Sequence, residues 1–366
     1  MANPFLHRTT RVVSSTPSDS PPGATGSGTR RARRGTGRVT LSDLAARIGV
    51  TKVTVSRALN TPELVSAETL ERVREAVRET GYTPDLVAGS LASNRSRLVV
   101  ALIPAMAGGV FQETVAALTN ELAASGYQLL FGQSGYDESR EDALLDAIIG
   151  RRPAGIVLTG VVHSEYARKK LKASGIPVVE TWELTRSPLD MLVGFSHPDV
   201  GAAAARYLHE RGARRPAVVT PGDRRAQVRA EAFVASFAAS FGGAHEVPVV
   251  SAPSPATIGD GRQALAHLLE VHPQVDAVFC GADVVAMGVL IEARHRGLAV
   301  PGRLKVLGYG DQNFAKDADP ALSTIRIDGT RIGKLAASML LQRLETGTVK
   351  RRKVDVGFDL ISRESA

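Results

Sequence analysis

Hydrophobic residues recur along this chain with two different periods, and the change between them divides it. From Val39 to Asn60 the sequence reads VTLSDLAARIGVTKVTVSRALN, where Leu41, Leu44, Ala45 and Ile48 fall on one face of a helix. Thr40 is placed to cap that helix, with Asp43 three residues on and Val39 positioned to staple onto Leu44. Gly49 supplies the left-handed stop. Thr51 caps a second helix whose Val55, Ala58 and Leu59 face inward. A third helix starts at Ser66, buries Leu70, Val73 and Val77, and ends at Gly81. Three helices of this size, the first two joined by a tight Gly-containing turn, predict a helix-turn-helix.

The next stretch, YTPDLVAGSLASNRSR, opens with a boundary at Pro84. Asp85 to Ser93 has room for about two turns of helix, too short to persist alone in water and weakened by Gly89. From Leu98 the period becomes that of strands. The apolar runs LVVALIPA, YQLLFGQS, AGIVLTG, IPVVETW, MLVGF, RPAVVT, VPVVS, DAVFCG, LKVLGYG and STIRI alternate with helical segments such as Phe111 to Ser125, Glu138 to Gly150 and Pro198 to Gly212. Near-continuous apolar strands separated by helices predict parallel sheets covered on both faces. So many strands argue for two α/β subdomains, with a ligand cleft at the carboxyl ends of the strands.

Composition narrows the class. A 366-residue chain that is 43% hydrophobic has enough apolar material for two or three domains. Its single cysteine, Cys280, leaves no disulfide framework within the chain and fits a reducing cytoplasm. No uninterrupted apolar run approaches the roughly 20 residues of a membrane span, and the N-terminus lacks the apolar stretch of a secretory signal, so a cytoplasmic protein is expected. Charge is distributed unevenly. Up to Arg97 there are 15 Lys+Arg against 8 Asp+Glu, a net of +7; of the chain's 45 and 37 this leaves 30 against 29. The excess in the first quarter points to a polyanion partner there. Residues 1–37, rich in Ser, Thr, Pro and Gly and ending in RRARRGTG, read as a disordered basic extension.

The second helix suits that partner. Its outward set is Thr51, Lys52, Val53, Thr54, Ser56 and Arg57, closed by Asn60. Arg and Lys match guanine or phosphate, the hydroxyls match phosphate, and Val matches a thymine methyl. A merely wetted face would carry Glu and Lys pairs, whereas Thr51 to Asn60 contains no acidic residue. The rest of the chain lacks catalytic signatures. No Walker loop, GxSxG or HExxH is present, and GYGDQN at Gly308 to Asn313 has only the first two glycines of a dinucleotide fingerprint. No His, Asp and Glu grouping has metal-ligand spacing, so neither metal nor cofactor is expected, and His197 and His267 read as surface or capping residues. Candidate ligand-binding residues sit at strand ends: Phe111 in the loop AGGVF, Gln133 with Asp137 behind it, Trp182, and Arg229 in GDRRAQVRAEAF. An arginine in a cleft suits a carboxylate or phosphate.

The run from Val39 to Asn60, followed by VSAETLERV and GYTPDLVAGSL, resembles the lactose-repressor (LacI/GalR) family of bacterial transcription regulators, and the resemblance extends over essentially everything from Val39 onward. It implies a helix-turn-helix domain over 38–83, a hinge helix and linker over 84–97, and a periplasmic-binding-protein-like core of two doubly wound parallel-sheet subdomains over 98–366. The chain would cross between the subdomains near Phe195, Phe314 and Ile327. The resemblance further implies a homodimer on double-stranded operator DNA. Its hinge helices would pair in the minor groove, Leu91 acting as a wedge and Ala88 facing the groove. Arg229 falls on the family's effector-binding arginine, although Ala232 replaces the usual glycine beside it. Asp283 and Asp311 stand in strand-end motifs, where Ala282 replaces an Asn and Gly310 displaces the Asp by one position. These departures disfavour a neutral hexose or nucleobase. PVVETWELTRSPLDMLVGFSH and VDVGFDLISRES look like the gluconate-repressor branch, which implies a sugar-acid effector. With ISRESA closing the sequence soon after Phe358, a dimer rather than a tetramer is expected. The rival reading is a solute-binding protein with no role on DNA.

Overall fold

A computed structural model describes residues 39–83, 96–106, 109–136, 138–240 and 246–366. The extension expected over 1–37, the hinge helix expected over 85–93, and the candidates Ala88, Leu91 and Asp137 lie outside these residues. The chain divides after Pro84 into two compact units.

In the first unit, α1 (Leu41–Ile48), α2 (Lys52–Asn60) and α3 (Ala67–Thr80) surround a small core, with one 3-10 turn at Pro62–Leu64. The caps read from the sequence are in place. The Thr40 hydroxyl accepts the Asp43 N–H, and Asp43 returns the bond by accepting the Thr40 N–H at 2.7 Å. Gly49 ends α1 at φ 67° and its N–H satisfies the Ala45 and Ala46 carbonyls. Leu44, Val55 and Val73 are fully buried with Ala45, Ala58 and Ala76 between them, and Val39, Leu70 and Val77 close the edges. Each buried Leu or Val contributes about 1.5–3 kcal/mol.

The second unit holds two sheets. The first is made of β1 (Leu98–Ile103), β2 (Gln128–Gln133), β3 (Gly155–Thr159), β4 (Val178–Thr181) and β5 (Met191–Gly194), joined by β11 (Lys353–Asp355). The second contains β6 (Pro216–Pro221), β7 (Val249–Ala252), β8 (Ala277–Cys280), β9 (Lys305–Tyr309) and β10 (Ser323–Arg326), joined by β12 (Asp359–Ile361). Their orders are β11-β5-β4-β3-β1-β2 and β12-β10-β9-β8-β6-β7, parallel throughout except for β12, which runs antiparallel to β10. The first sheet carries α4 (Gln112–Ala124), α5 (Glu138–Ile149), α6 (Glu165–Ser174) and α11 (Gly329–Thr346). The second carries α7 (His197–Glu210), α8 (Arg224–Ser240), α9 (Ile258–Val271) and α10 (Asp283–His295).

The double covering explains the apolar runs. Val100, Leu102, Ile156 and Leu158 pack on Leu145 and Leu171 of α5 and α6, while Val99, Ala101 and Val157 face Leu118 of α4 and Leu340 of α11. In the second sheet Val219, Cys280 and Val306 meet Leu265 and Val289 of α9 and α10, and Val218 and Phe279 meet Phe233 of α8. With both faces dry, alternation disappears from the sequence. Helices α7 and α8 come unusually close. A Cβ at Gly201 would sit 2.1 Å from the Arg229 carbonyl oxygen, so only glycine fits.

All ten expected strands are present. The crossings between subdomains fall near Phe195 and Ile327, as expected, but the third differs. Phe314 lies between β9 and β10, which pair within one sheet, so the chain does not cross there. It crosses between β11 and β12, around Phe358. These two strands are three residues each and largely exposed, too short and polar to carry an apolar run.

Candidate functional site

Helix α2 presents a compact polar face. Its N-cap Thr51 accepts the Thr54 N–H at 3.2 Å, and the two hydroxyls lie 2.9 Å apart. Asn60 closes the other end by donating to the Ser56 carbonyl at 2.9 Å. Thr51, Thr54, Ser56 and Asn60 therefore shape the helix as well as bordering its outer face, and Lys52, Val53 and Arg57 are the side chains that stand clear of it. Val53 is 57% exposed and so is free to meet an apolar group such as a thymine methyl. Neighbouring arginines are engaged: Arg47 pairs with Glu79 at 2.8 Å, Arg78 with Glu71 at 3.0 Å, and Arg72 donates to the Ile48 carbonyl. Among the described residues no carboxylate lies within 4.0 Å of Lys52 or Arg57, so α2 offers two exposed cations that are held in no ion pair.

In the second unit a cavity of about 680 Å³, including its open mouth, lies at the carboxyl ends of both sheets. Phe111 follows β1, Tyr136 follows β2 and Trp182 follows β4; Asp223 and Arg225 follow β6, Ser254 follows β7, Ala282 follows β8, and Tyr309 and Gln312 end β9. Parallel α/β sheets leave this end open, because their helices return on the faces and the strands all stop on one side. The wall is aromatic. Trp182 meets Phe111 edge-on at 4.9 Å and Phe195 at 6.0 Å, and its indole N–H donates to the Thr114 hydroxyl at 3.2 Å. Trp182 holds φ at 69°, a left-handed conformation that is costly for a bulky residue and marks a constrained site.

The floor is cationic. Arg229 is 4% exposed, donates from Nη1 to His197 Nδ1 and from Nη2 to the Gly281 carbonyl, both at 3.1 Å, and lies 3.9 Å above the Tyr309 ring. Its Nε has no hydrogen-bond partner, and among the described residues no carboxylate lies within 4.0 Å. Burial pushes the His197 imidazole down to about 2, with the positive charges of Arg229 and Arg225 adding to it and the Trp182 backbone opposing. The ring is therefore neutral, its Nδ1 accepts from Arg229, and it cannot offset the guanidinium charge. A buried cation without a counter-charge, at the bottom of an open cavity, is suited to bind an anion.

Known protein families match parts of both units. Residues 40–85 match the model of bacterial regulatory proteins of the lacI family, and 205–366 match a periplasmic binding protein-like domain. The HTH-type transcriptional regulator GntR of Pseudomonas aeruginosa is 37% identical over 334 residues, covering 91% of this chain and 97% of that protein. The chain belongs to the lacI family. A LacI family transcriptional regulator from Silicibacter pomeroyi, 30% identical, superposes with a TM-score of 0.83 over 89% of this chain and 99% of its own. The transcription regulator GntR from Chromobacterium violaceum, 35% identical, does so with a TM-score of 0.70 over 73% and 98%. This lacI-family protein is a DNA-binding transcriptional regulator, and its relatives are regulators rather than enzymes. The solute-binding alternative is not favoured. Among the described residues no helix is long and apolar enough to cross a membrane.

Of the effector candidates in this lacI-family core, Phe111, Trp182 and Arg229 line the cavity together. Gln133 is exposed at the end of β2, outside the lining. Asp283 lies behind the wall. Its carboxylate accepts the Thr324 hydroxyl and the Gln312 N–H, each at 2.7 Å, and burial raises it to about 6 against those two bonds. Asp311 accepts from Arg363 at 2.7 Å and also stands off the lining. His197 corrects the expectation of a surface or capping residue: it opens α7 with 3% exposure and holds Arg229 in place. Arg225, Asp223 and Tyr136 were missed. Arg225 carried a usable signal, since it precedes Arg229 by four residues and so shares its helix face.

A second buried polar cluster stands behind the same wall of the lacI-family core. His163 Nδ1 lies 2.6 Å from Glu141 and its Nε2 3.5 Å from Glu180, which is fully buried in β4 two residues before Trp182. Burial alone would lower His163, but the two glutamates outweigh it and raise the imidazole to about 9. The resulting cation ties α5 and the loop after β3 to the strand that delivers Trp182.

Proposed function

We propose that this protein is an effector-controlled repressor that acts as a homodimer on a near-palindromic operator, with a sugar acid as its effector. The observation that carries the effector assignment is Arg229, a buried guanidinium without a counter-charge at the floor of a cavity walled by Phe111, Trp182 and Tyr309. The aromatic faces suit the C–H faces of a polyol, and the arginine suits its carboxylate. Relatives bearing the name GntR support gluconate or a close analogue.

On DNA, the two copies of α2 would lie in successive major grooves with Lys52, Val53 and Arg57 reading bases, while residues 85–93, with Leu91 and Ala88, would engage the minor groove at the centre. The exposed Leu130 and Phe131 on the edge strand β2 supply apolar surface for the second copy. Such a regulator works in the cytoplasm and at the nucleoid when on its operator. Effector binding would favour one orientation of the two sheets and change the spacing of the hinge segments, a coupling of about 1–3 kcal/mol that operator DNA must return on the effector. The test is a gel shift on the DNA upstream of the protein's own gene, with and without gluconate, beside calorimetric titration with gluconate and related acids. Gluconate should shift the operator affinity and give saturable heat; absence of heat with every sugar acid would remove the effector assignment.

A further inference from the structure

We propose that Asp223 makes the cavity selective for a singly charged, hydroxylated acid, by repelling any second anionic group at the end of the ligand away from Arg229. The inference rests on the reading of Arg229 as the carboxylate partner and adds what the lining at Asp223 rejects.

The charge count of the lining carries it. Among the described residues three charged side chains face the cavity: Arg229, Arg225 and Asp223. Arg225 lies 4.0 Å from Asp223, the two side chains are 12% and 13% exposed, and the Arg225 guanidinium also sits 5.6 Å from the Phe111 ring. The two charges offset each other, and the space is left with the single positive charge of Arg229. A ligand with one carboxylate neutralises it. A ligand with two anionic groups leaves one uncompensated beside a carboxylate with little access to water, where like charges are costly.

Asp223 is also unable to retreat. Its Oδ1 accepts the Ala226 N–H at 3.1 Å, so it is the cap that starts α8, the helix that carries Arg225 and Arg229. A carboxylate held there only accepts hydrogen bonds, and a ligand hydroxyl can donate to it whereas a phosphate or carboxylate cannot. Tyr136 records the same field, its phenol being raised first by burial and then by Asp223. The cavity thus offers a hydroxyl acceptor at the start of α8, at Asp223, and an anion partner about a turn and a half further along the same helix, at Arg229.

The experiment is calorimetric titration of the full chain with D-gluconate, 6-phosphogluconate and D-glucarate, for the wild type, Asp223→Asn and Asp223→Ser. Asn and Ser cap helices about as well as Asp, so both variants should melt close to the wild type. The wild type should bind gluconate at least about tenfold more tightly than either acid with a second anionic group, and both variants should narrow that ratio about tenfold, mainly by gaining affinity for those two acids. Wild-type protein that binds 6-phosphogluconate or glucarate as tightly as gluconate would overturn the proposal, as would an unchanged ratio in both variants. If none of the three acids gives heat with any of the proteins, the sugar-acid reading falls, and this proposal with it.

Discussion

Replacing Arg229 by methionine should weaken effector binding strongly while leaving the stability of the empty protein nearly unchanged. In the unliganded protein the guanidinium has given up water for two neutral partners, His197 Nδ1 and the Gly281 carbonyl, and for the face of Tyr309. No carboxylate among the described residues repays the lost hydration. A flexible apolar side chain of similar length removes that cost, and replacements of buried charges by apolar residues are commonly neutral or stabilising by about 1–4 kcal/mol. The Gly281 carbonyl and His197 Nδ1 each lose a donor, which offsets about 1–3 kcal/mol. The net for the empty protein is therefore small, a shift of a few degrees in thermal midpoint in either direction. For the complex the balance is one-sided. The ligand carboxylate would lose its charge-assisted partner in a closed site, a loss of about 2–5 kcal/mol, or about 30-fold to several thousandfold in affinity. Differential scanning calorimetry and calorimetric titration measure the two quantities on one preparation. The imidazole of His197 should also rise from about 2, yet stay below its ordinary range because burial is the larger cause. A variant that melts more than about 10 °C lower while binding gluconate unchanged would refute the reasoning, since Arg229 would then be structural.

On the DNA side, Lys52→Ala and Arg57→Ala should each weaken operator binding by about 1–3 kcal/mol with no change in melting, read by fluorescence anisotropy; binding of the double variant at wild-type strength would mean that α2 is not the reading helix. The cation at His163 should add a pH dependence to stability. Its folded value near 9 exceeds the ordinary 6.5, so its stabilisation is complete below pH 6.5 and is lost as pH rises through 9, on the order of 3 kcal/mol at most. His163→Gln should flatten that part of a urea-midpoint profile. Gly201→Ala places a Cβ 2.1 Å from the Arg229 carbonyl oxygen, so α7 and α8 must separate. A loss of about 1–3 kcal/mol in stability together with weaker effector binding is expected, and wild-type values in both assays would contradict the packing argument.

The sequence alone determined whatever depends on neighbours along the chain. Caps at Thr40, Thr51 and Ser66, stops at Gly49 and Gly81, and the inward set Leu44, Val55 and Val73 are local in origin, so the first unit was legible almost residue by residue. The inner strands of both sheets were legible for a related reason, since a strand dry on both faces must be apolar at every position, whereas the edge strands β2 and β7 are exposed but still carry apolar runs. The short strands β11 and β12 were not, because three residues carry no pattern, so the crossing near Phe358 went unread and one was expected at Phe314 instead. The cavity was only partly legible. Phe111, Trp182 and Arg229 stand at strand ends or in a recognisable motif, but Asp283 and Asp311 stand in equally recognisable ones and are held by Thr324 and Arg363 instead. Which carboxylate faces the ligand was decided by tertiary structure, through the hydrogen bonds that hold each side chain. The same holds for His197, an unremarkable histidine in sequence, whose charge is removed by burial and by arginines 28 and 32 residues further along the chain. Local order is fixed by sequence spacing, whereas the electrostatics of a site are fixed by what the fold brings within a few ångströms of it.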